Sequence, residues 1–196
     1  MIIVGVTGSI GMGKTTICNM LKKLGCAIHN SDRAVALALS SKGDAFEEVA
    51  VTFPECWDKK NRVIKKDVLA DIIFNDDDKK RELEAILHPI VWRDQQEFTR
   101  KSARMGYKIA VLDIPLLFET GAQIRCDYTI CVSAPYSIQR RRVLARPGMS
   151  EEKFEKILMS QIPDVEKRKL ADFVVETGLG MAFSFRQLKS IVRKIL

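Results

Sequence analysis

The sequence predicts an α/β protein with a central parallel sheet. An apolar run at residues 2–7 is followed by a Gly-rich turn and an amphipathic segment at 15–24, which is the pattern of a strand, a loop and a helix. Short β-branched runs return at 108–112, 128–132 and 173–175. Continuous apolar runs are typical of strands that are buried on both faces of a parallel sheet. We therefore expect helices to cover this sheet.

The composition favours one main domain. The chain has 196 residues, of which 46% are hydrophobic and 29% are charged, a balance typical of a folded globular protein. This length is enough for one full core and short for two independent ones. We therefore expect a single domain that carries appended lobes.

The net charge of +7 suits either a nucleic acid partner or ligands that carry several phosphates. Aromatic residues make up only 7% of the chain, and no segment interleaves Lys or Arg with Phe or Tyr as single-strand binders do. A nucleic acid partner is therefore not favoured. The sequence makes no prediction of oligomeric state.

The sequence shows no basic leader ahead of an apolar stretch and no run of 18 apolar residues, so we expect a cytoplasmic protein without membrane contact. The five cysteines form no Cys-x-x-Cys pair, and only two histidines are present to complete a metal site. Reduced and mostly buried thiols are expected.

A second strand is predicted at residues 26–29, after Gly25 ends the first helix. Ser31 or Asp32 is expected to cap the next helix. Residues 33–104 have helical periodicity and no convincing strand. Within them, His88-Pro89 predicts a helix break, because proline disfavours helical geometry in the residue before it.

The segment 136–170 carries nine Lys or Arg against five Asp or Glu and is expected to form a mobile basic flap. After the last predicted strand, apolar residues recur at helical spacing from Leu188 to Ile195, which predicts a terminal helix packed on the sheet.

The strongest motif is Gly8-Ser-Ile-Gly-Met-Gly-Lys-Thr15, which we call the phosphate loop. It matches G-x-x-x-x-G-K-[ST] and lies between a predicted strand and a predicted helix, as that pattern requires. Glycines let successive backbone N–H groups surround phosphate oxygens, and the following helix presents its positive end to the same anion. A nucleoside triphosphate is therefore the expected ligand.

Within this loop, Lys14 is expected to follow the β- and γ-phosphates, while the Thr15 hydroxyl ligates Mg²⁺ that enters with ATP. The residues expected to bind ATP are Gly8, Gly11, Met12, Gly13, Lys14, Thr15, Thr16, Arg142 and Arg146. Nucleotide binding alone does not separate a kinase from a GTPase, a motor ATPase or a regulatory switch, so the acceptor side needs its own evidence.

Two aspartates follow predicted strands, whose carboxyl ends surround the ligand crevice in an open α/β sheet. Asp32 suits a general base that takes the proton of an attacking hydroxyl, and equally a helix N-cap. Asp113 suits a ligand of Mg²⁺, a residue that orients the acceptor, or a turn carboxylate. The sequence leaves these alternatives open.

The run Arg140-Arg141-Arg142, together with Arg146, offers guanidinium groups that can each donate two hydrogen bonds to one phosphoryl group. On a helix, Arg142 and Arg146 would share a face. Arg142 is the candidate for function, whereas Arg140 is assigned to a solvated surface. His88 is equally a buried, hydrogen-bonded histidine at a bend or a ligand contact.

The chain resembles the dephospho-coenzyme A kinase family, whose members phosphorylate the ribose 3′-hydroxyl of dephospho-coenzyme A. The resemblance runs nearly from end to end. It rests on Gly5-Val-Thr-Gly8-Ser-Ile-Gly-Met-Gly-Lys-Thr15, Asp32, Leu87-His88-Pro89, Asp113-Ile-Pro-Leu-Leu-Phe-Glu119, Gln139, Arg142, Arg146, Gln161 and Ala171-Asp172.

The resemblance implies a three-layer P-loop kinase fold with a core at about 1–32 and 105–196, a helical coenzyme-A-binding lobe at about 33–104 and a helical lid at about 136–170. It implies ATP and dephospho-coenzyme A as substrates. By the same resemblance, Asp32 is the general base, Lys14 and Arg142 stabilise the transferring phosphoryl group, and Thr15 holds Mg²⁺. The acceptor is expected to contact Asp32, His88, Asp113 and Leu116.

The sequence departs from the family pattern at three places. Asn30-Ser31-Asp32 stands where the family has Asp-Ala-Asp, and Glu176-Thr177-Gly178 stands where it has Asp-Asn-x-Gly, so an asparagine amide expected near the adenine is absent. Lys66 stands where an arginine is common and replaces a bidentate fork with a point charge.

Two other functions remain open on the sequence alone. One is a kinase for another small hydroxylated acceptor, such as a nucleoside monophosphate or a sugar acid. The other is a nucleotide-gated binding or regulatory protein with slow or no catalysis. The presence of Asp32 together with Lys14 and Asp113 argues against the second.

Overall fold

The computed structural model of the protein describes all residues from Met1 to Leu196. The chain divides into two compact units, one made of Met1–His29 with Thr99–Leu196 and the other of Asn30–Phe98. None of the helices combines the length and apolar character needed to cross a membrane.

Seven strands and nine α-helices make up the two units. In chain order they are β1 (Ile2–Thr7), α1 (Lys14–Lys23), β2 (Ala27–Asn30), α2 (Ser31–Ala38), α3 (Phe46–Thr52), β3 (Trp57–Asp58), β4 (Val63–Ile64), α4 (Lys66–Asn75), α5 (Asp77–Arg104), β5 (Ile109–Asp113), β6 (Tyr128–Ser133), α6 (Tyr136–Leu144), α7 (Glu151–Met159), α8 (Asp164–Leu170), β7 (Phe173–Glu176) and α9 (Met181–Ile195).

The predicted parallel sheet is confirmed. Its strand order is β2-β5-β1-β6-β7, and β1 pairs in parallel with both β5 and β6. Val6 lies opposite Asp113 on one side and Ile130 on the other. Every residue of β5 is buried, which explains its uninterrupted apolar sequence. Since the strands are parallel, their carboxyl ends, and the loops that follow them, meet at one edge.

The core of the first unit joins the sheet to α1 and α9. Valines and isoleucines of β1 and β6 pack with Ile17 and Leu21 of α1 and with Leu188 of α9. The terminal helix thus packs as its apolar periodicity predicts. Gly25 ends α1 with a φ of 87°, a left-handed conformation that glycine adopts without steric cost.

The second unit has its own core, in which Phe46, Phe53 and Leu69 are almost fully buried. The prediction that residues 33–104 contain no strand is wrong, because β3 and β4 form a short antiparallel hairpin there. Each strand has two residues, too few to give a period-2 pattern in the sequence. Four residues join the strands, and Arg62 adopts a positive φ of 50° among them.

The predicted helix break at His88-Pro89 is also wrong. The helix α5 runs unbroken through Pro89, and the division between the two units falls within the same helix, after Phe98. Proline removes one N–H donor from the helix, but the turn before it is held by Leu83 and Leu87 in the core. Tertiary packing therefore outweighs the local preference of the residue before proline.

The cap of α2 is Asn30, not Ser31 or Asp32 as predicted. The Asn30 side chain accepts a hydrogen bond from the Arg33 N–H at 2.7 Å. Asp32 lies in the first helical turn and is exposed. Because the cap is supplied by Asn30, the N-cap role no longer accounts for the Asp32 carboxylate.

Candidate functional site

The phosphate loop connects β1 to α1 and has a backbone that requires glycine. Gly11 and Gly13 have φ angles of 78° and 93°. A Cβ at position 11 would lie 2.5 Å from Cγ2 of Val143 in α6, so the loop and α6 approach each other too closely for a side chain. The motif glycines therefore serve both the turn and its packing.

Three side chains from distant segments hold the carbonyl groups of this loop. Gln139 Nε2 donates to the Ile10 carbonyl oxygen at 2.8 Å, and Arg142 Nη1 lies 3.4 Å from that of Gly11. The Thr177 hydroxyl donates to the Met12 carbonyl oxygen at 2.6 Å. These bonds turn the carbonyl groups toward the protein.

The amide groups of the same loop are arranged differently. No group of the chain accepts a hydrogen bond from the backbone N–H of Gly11, Gly13, Lys14 or Thr15. Lys14 and Thr15 begin α1, where the helix dipole is positive. The loop thus presents available N–H donors and a positive helix end, which is the arrangement that binds phosphate.

Lys14 forms an ion pair with Asp113 at the end of β5. Asp113 is 3% exposed, and the Lys14 side chain is 14% exposed. Two charges that are so far removed from water need each other, since burying either one alone is costly. The structure therefore brings together two of the residues predicted from the sequence. Met12 is also buried in the loop, whereas Thr15 and Thr16 are exposed.

The structure confirms the predicted surface position of Arg140, but it does not place Arg142 and Arg146 on one helical face. Arg140 is about half exposed and pairs with Glu151 at 2.6 Å, a surface ion pair as expected. Arg142 is partly buried and contacts the phosphate loop. Arg146 does not share a helical face with Arg142, because α6 ends at Leu144. Arg146 follows the helix and is exposed.

The remaining acceptor candidates lie partly in the second unit. Asp32 in α2 and His88 in α5 are exposed there. The interpretation of His88 as a buried histidine at a bend is therefore wrong.

The second unit has a cavity of about 330 Å³ between α2 and α5, lined by apolar residues such as Leu37 and by charged residues such as Arg93. Arg93 pairs with Asp44 at its rim. Leu116 lies in the first unit, after β5, and is half-buried.

The sequence did not predict the buried ion pair that Lys167 forms. This residue is fully buried in α8 and pairs with Glu119 at 2.7 Å. Glu119 also accepts a hydrogen bond from the Ile162 N–H at 2.9 Å, and Lys167 Nζ lies 3.4 Å from the Pro115 carbonyl oxygen. Lys167 therefore fixes the segment after β5. Nothing in its sequence surroundings distinguishes it from the exposed Lys169.

Replacing Lys167 with methionine is expected to destabilise the protein by roughly 3–5 kcal/mol, because it leaves the Glu119 carboxylate buried without its cation. Urea unfolding measures this change. The double variant Lys167→Met/Glu119→Gln is expected to recover part of the loss, whereas Lys169→Met, which removes an exposed lysine of the same helix, is expected to cost less than about 1 kcal/mol. Equal stability of Lys167→Met and the wild type would contradict this role.

All five cysteines are free thiols, and four of them are buried, as predicted. Burial raises the pKa of Cys18 from 9.0 to about 12, with a further contribution from the nearby charge of Asp113. Burial likewise raises the pKa of Cys131 to about 12 and that of Cys26 to about 11. These groups stay protonated at neutral pH and are poor nucleophiles.

The raised thiol pKa values predict a loss of stability in alkali. Since the folded pKa exceeds the unfolded value of 9.0, the thiol contribution is complete below pH 9 and is lost as the pH rises toward about 12. Unfolding in urea at pH 8, 9 and 10 tests this. The variant Cys26→Ala/Cys131→Ala is expected to lose less free energy of unfolding over that range than the wild type. An identical slope in both proteins would contradict the prediction.

The loop offers amide donors together with two cations, Lys14 and Arg142, and a polyphosphate needs both. This site, on a five-stranded parallel sheet flanked by helices, makes the protein a P-loop nucleotide-binding protein. Residues 2–181 match the family model described as Dephospho-CoA kinase. The chain belongs to the dephospho-CoA kinase family.

Individual relatives are similar to the chain over nearly its whole length. The chain is 43% identical over 195 residues to the dephospho-CoA kinase of Mesorhizobium japonicum, a match that covers 100% of this chain and 97% of that protein. A solved structure from Thermus thermophilus superposes with a TM-score of 0.85 at 34% identity, covering 100% and 98% of the two chains. The dephospho-CoA kinase of Campylobacter jejuni gives 0.71 at 27% identity, covering 98% and 96%.

Proposed function

We propose that the protein transfers the γ-phosphoryl group of ATP to the ribose 3′-hydroxyl of dephospho-coenzyme A and releases ADP and coenzyme A. The observation that carries this proposal is the match of residues 2–181 to the dephospho-CoA kinase family. The geometry of the phosphate loop supports it, because available amide groups and the ammonium group of Lys14 suit the β- and γ-phosphates.

Lys14 and Arg142 supply positive charge to the reaction. As the bond between the γ-phosphorus and the bridging oxygen breaks, negative charge moves onto the oxygens that these cations contact. In the structure, Lys14 is paired with the Asp113 carboxylate. Nucleotide phosphates offer Lys14 a second anionic partner and so draw its ammonium group toward the reacting atoms.

Asp32 is the proposed general base. It accepts the proton of the 3′-hydroxyl while the hydroxyl oxygen bonds to the γ-phosphorus and ADP leaves. Its carboxylate is exposed in the first turn of α2, where it is accessible to a ligand. The cavity between α2 and α5 lies in the same unit and combines apolar and charged lining residues, which suits an acceptor with both kinds of group.

Thr15 of the loop and Asp113 at the end of β5 fit a magnesium ion bound together with the nucleotide. The Thr15 hydroxyl is exposed at the start of α1, and the Asp113 carboxylate lies beside Lys14, so both provide the oxygen ligands that Mg²⁺ prefers. The structure has no cluster of three or more His, Cys, Asp or Glu residues that could form a metal cage. A metal held by few protein ligands and by phosphates is typical of kinases, where it neutralises charge on the β- and γ-oxygens.

The segment 136–170 is proposed to act as a lid over the nucleotide. Its residues Gln139, Arg142 and Gln161 hydrogen-bond the backbone of the phosphate loop. Closure around the bound nucleotide excludes water and so limits transfer of the phosphoryl group to water.

ADP release, measured with Mg-ATP in the presence and absence of dephospho-coenzyme A, tests the proposed function. We expect ADP release to depend on the acceptor and the product to gain the mass of one phosphate. A nucleoside monophosphate and a sugar acid serve as comparison acceptors and should give much lower kcat/KM values. ADP release that dephospho-coenzyme A does not change would overturn the substrate assignment.

A further inference from the structure

Thr177 joins three separate segments of the first unit at the phosphate loop. It follows β7 directly, and its N–H donates to the carbonyl oxygen of Ser133, the last residue of β6, at 2.8 Å. Its hydroxyl donates to the Met12 carbonyl oxygen at 2.6 Å. Arg142, in α6, donates to Thr177 twice, through Nη1 to the hydroxyl at 3.0 Å and through Nη2 to the carbonyl oxygen at 2.8 Å.

A hydroxyl group is well suited to this position. It has one hydrogen to donate and lone pairs to accept, so it can bond the loop carbonyl and the guanidinium group at the same time. The Ser133 carbonyl oxygen lies farther from the hydroxyl, at 3.3 Å, so the single hydrogen is directed to Met12. The two bonds from Arg142 fix the plane of its guanidinium group, since each uses a different nitrogen.

Thr177 and Arg142 both lie close to the backbone of the phosphate loop at Gly13. A Cβ at position 13 would lie 3.4 Å from the Thr177 hydroxyl oxygen and 3.6 Å from Arg142 Nη1. Thr177 and Arg142 are thus packed against the backbone of the loop at Gly13, immediately before Lys14.

We propose that Thr177 is a positioning residue that holds the Arg142 guanidinium group on the phosphate loop. The proposal rests on the proposed function for the role of Arg142 in phosphoryl transfer. Thr177 acts through Arg142, because its hydroxyl is bonded to the loop and to the guanidinium group. Preorganised charge is more effective than charge that has to be ordered during the reaction.

The first test is a kinetic comparison of Thr177→Val with Thr177→Ser. Valine keeps the shape of the side chain and removes the hydroxyl, so kcat is expected to fall roughly tenfold to a hundredfold, the effect of losing a hydrogen bond to a charged group. The KM for dephospho-coenzyme A is expected to stay within about twofold, since Thr177 acts on the transferring group. Serine keeps the hydroxyl and should restore kcat to within about threefold of the wild type.

A double-mutant cycle separates positioning from a purely structural role. In an Arg142→Ala background, Thr177→Val should lower kcat by less than about threefold, because the group that it positions is absent. Equal losses with and without Arg142, or a wild-type kcat in Thr177→Val, would overturn the proposal.

Binding of ATP distinguishes failure of this proposal from failure of the proposed function. If the wild type does not phosphorylate dephospho-coenzyme A, the proposed function fails, and the same cycle is measured by calorimetric titration with Mg-ATP. Thr177→Val and Arg142→Ala should then each weaken ATP binding, and the double variant should bind about as weakly as Arg142→Ala. Additive losses of affinity would overturn the positioning role in this assay as well.

Discussion

Replacing Lys14 with methionine is expected to lower kcat/KM for phosphorylation of dephospho-coenzyme A by at least roughly a hundredfold. Methionine fills a similar volume and carries no charge, so the variant removes the cation that is proposed to follow the transferring phosphoryl group. The loss should fall mainly on kcat, because the charge on the phosphoryl oxygens redistributes only as the reaction proceeds. Steady-state kinetics with both substrates varied measures the effect.

The same substitution also affects folding, since Lys14 pairs with the buried Asp113. Activity is therefore compared at a temperature well below the unfolding midpoint of each variant. Lys22→Met is the matched control, because it removes an exposed lysine from the last turn of the same helix and should retain the wild-type rate. A folded Lys14→Met protein with kcat/KM within about threefold of the wild type would contradict the assignment of Lys14.

Replacing Asp32 with asparagine is expected to lower kcat by at least roughly a hundredfold, because an amide cannot take the proton of the acceptor hydroxyl. The KM for dephospho-coenzyme A should change little, since asparagine has nearly the same size and can still form hydrogen bonds. Asp32 is exposed and does not cap α2, so folding should be nearly unaffected. Single-turnover measurements at saturating ATP give the rate of the chemical step.

The control for this variant is Asp77→Asn. Asp77 is also an exposed carboxylate in the first turn of a helix, so its loss imitates any effect of Asp32 on the helix dipole. The control should keep the wild-type kcat. Near-normal turnover in Asp32→Asn would remove Asp32 as the base and leave Asp113 as the next carboxylate to test.

The sheet and the phosphate loop follow from local sequence. The strands are short apolar runs whose pattern does not depend on distant partners, and the loop combines a motif with a strand before it and a helix after it. Gly11 and Gly13 adopt the positive φ angles that such a loop requires. These features were predictable because each depends on residues close together in the chain.

The features that the sequence did not predict depend on distant residues. The Thr177 hydroxyl bonds a carbonyl group 165 positions away, and Lys167 contacts the carbonyl oxygen of Pro115, 52 positions away. A threonine or a lysine in a sequence does not by itself indicate a hydrogen-bond partner that is distant in the chain. Pro89 is a related case, because the packing of α5 decides its helical conformation against the local tendency to break.

Thr177 stands where the family pattern has an asparagine, and its contacts change how this difference is interpreted. The sequence alone indicates the loss of an asparagine amide near the adenine. The structure shows a threonine that bonds Met12 and Arg142, and we propose that this position supports the phosphate end of the site. The chain therefore links the phosphate loop to Arg142 without an asparagine at this position.

A matched pair of acceptors tests most directly whether the phosphoryl group is transferred to one particular hydroxyl group. The enzyme is incubated with ATP labelled at the γ-phosphate and with either dephospho-coenzyme A or its 3′-deoxy analogue, and the label in the acceptor is measured. We expect label in dephospho-coenzyme A and none in the 3′-deoxy analogue. Label in both acceptors, or in neither while ATP is hydrolysed, would contradict transfer to the ribose 3′-hydroxyl.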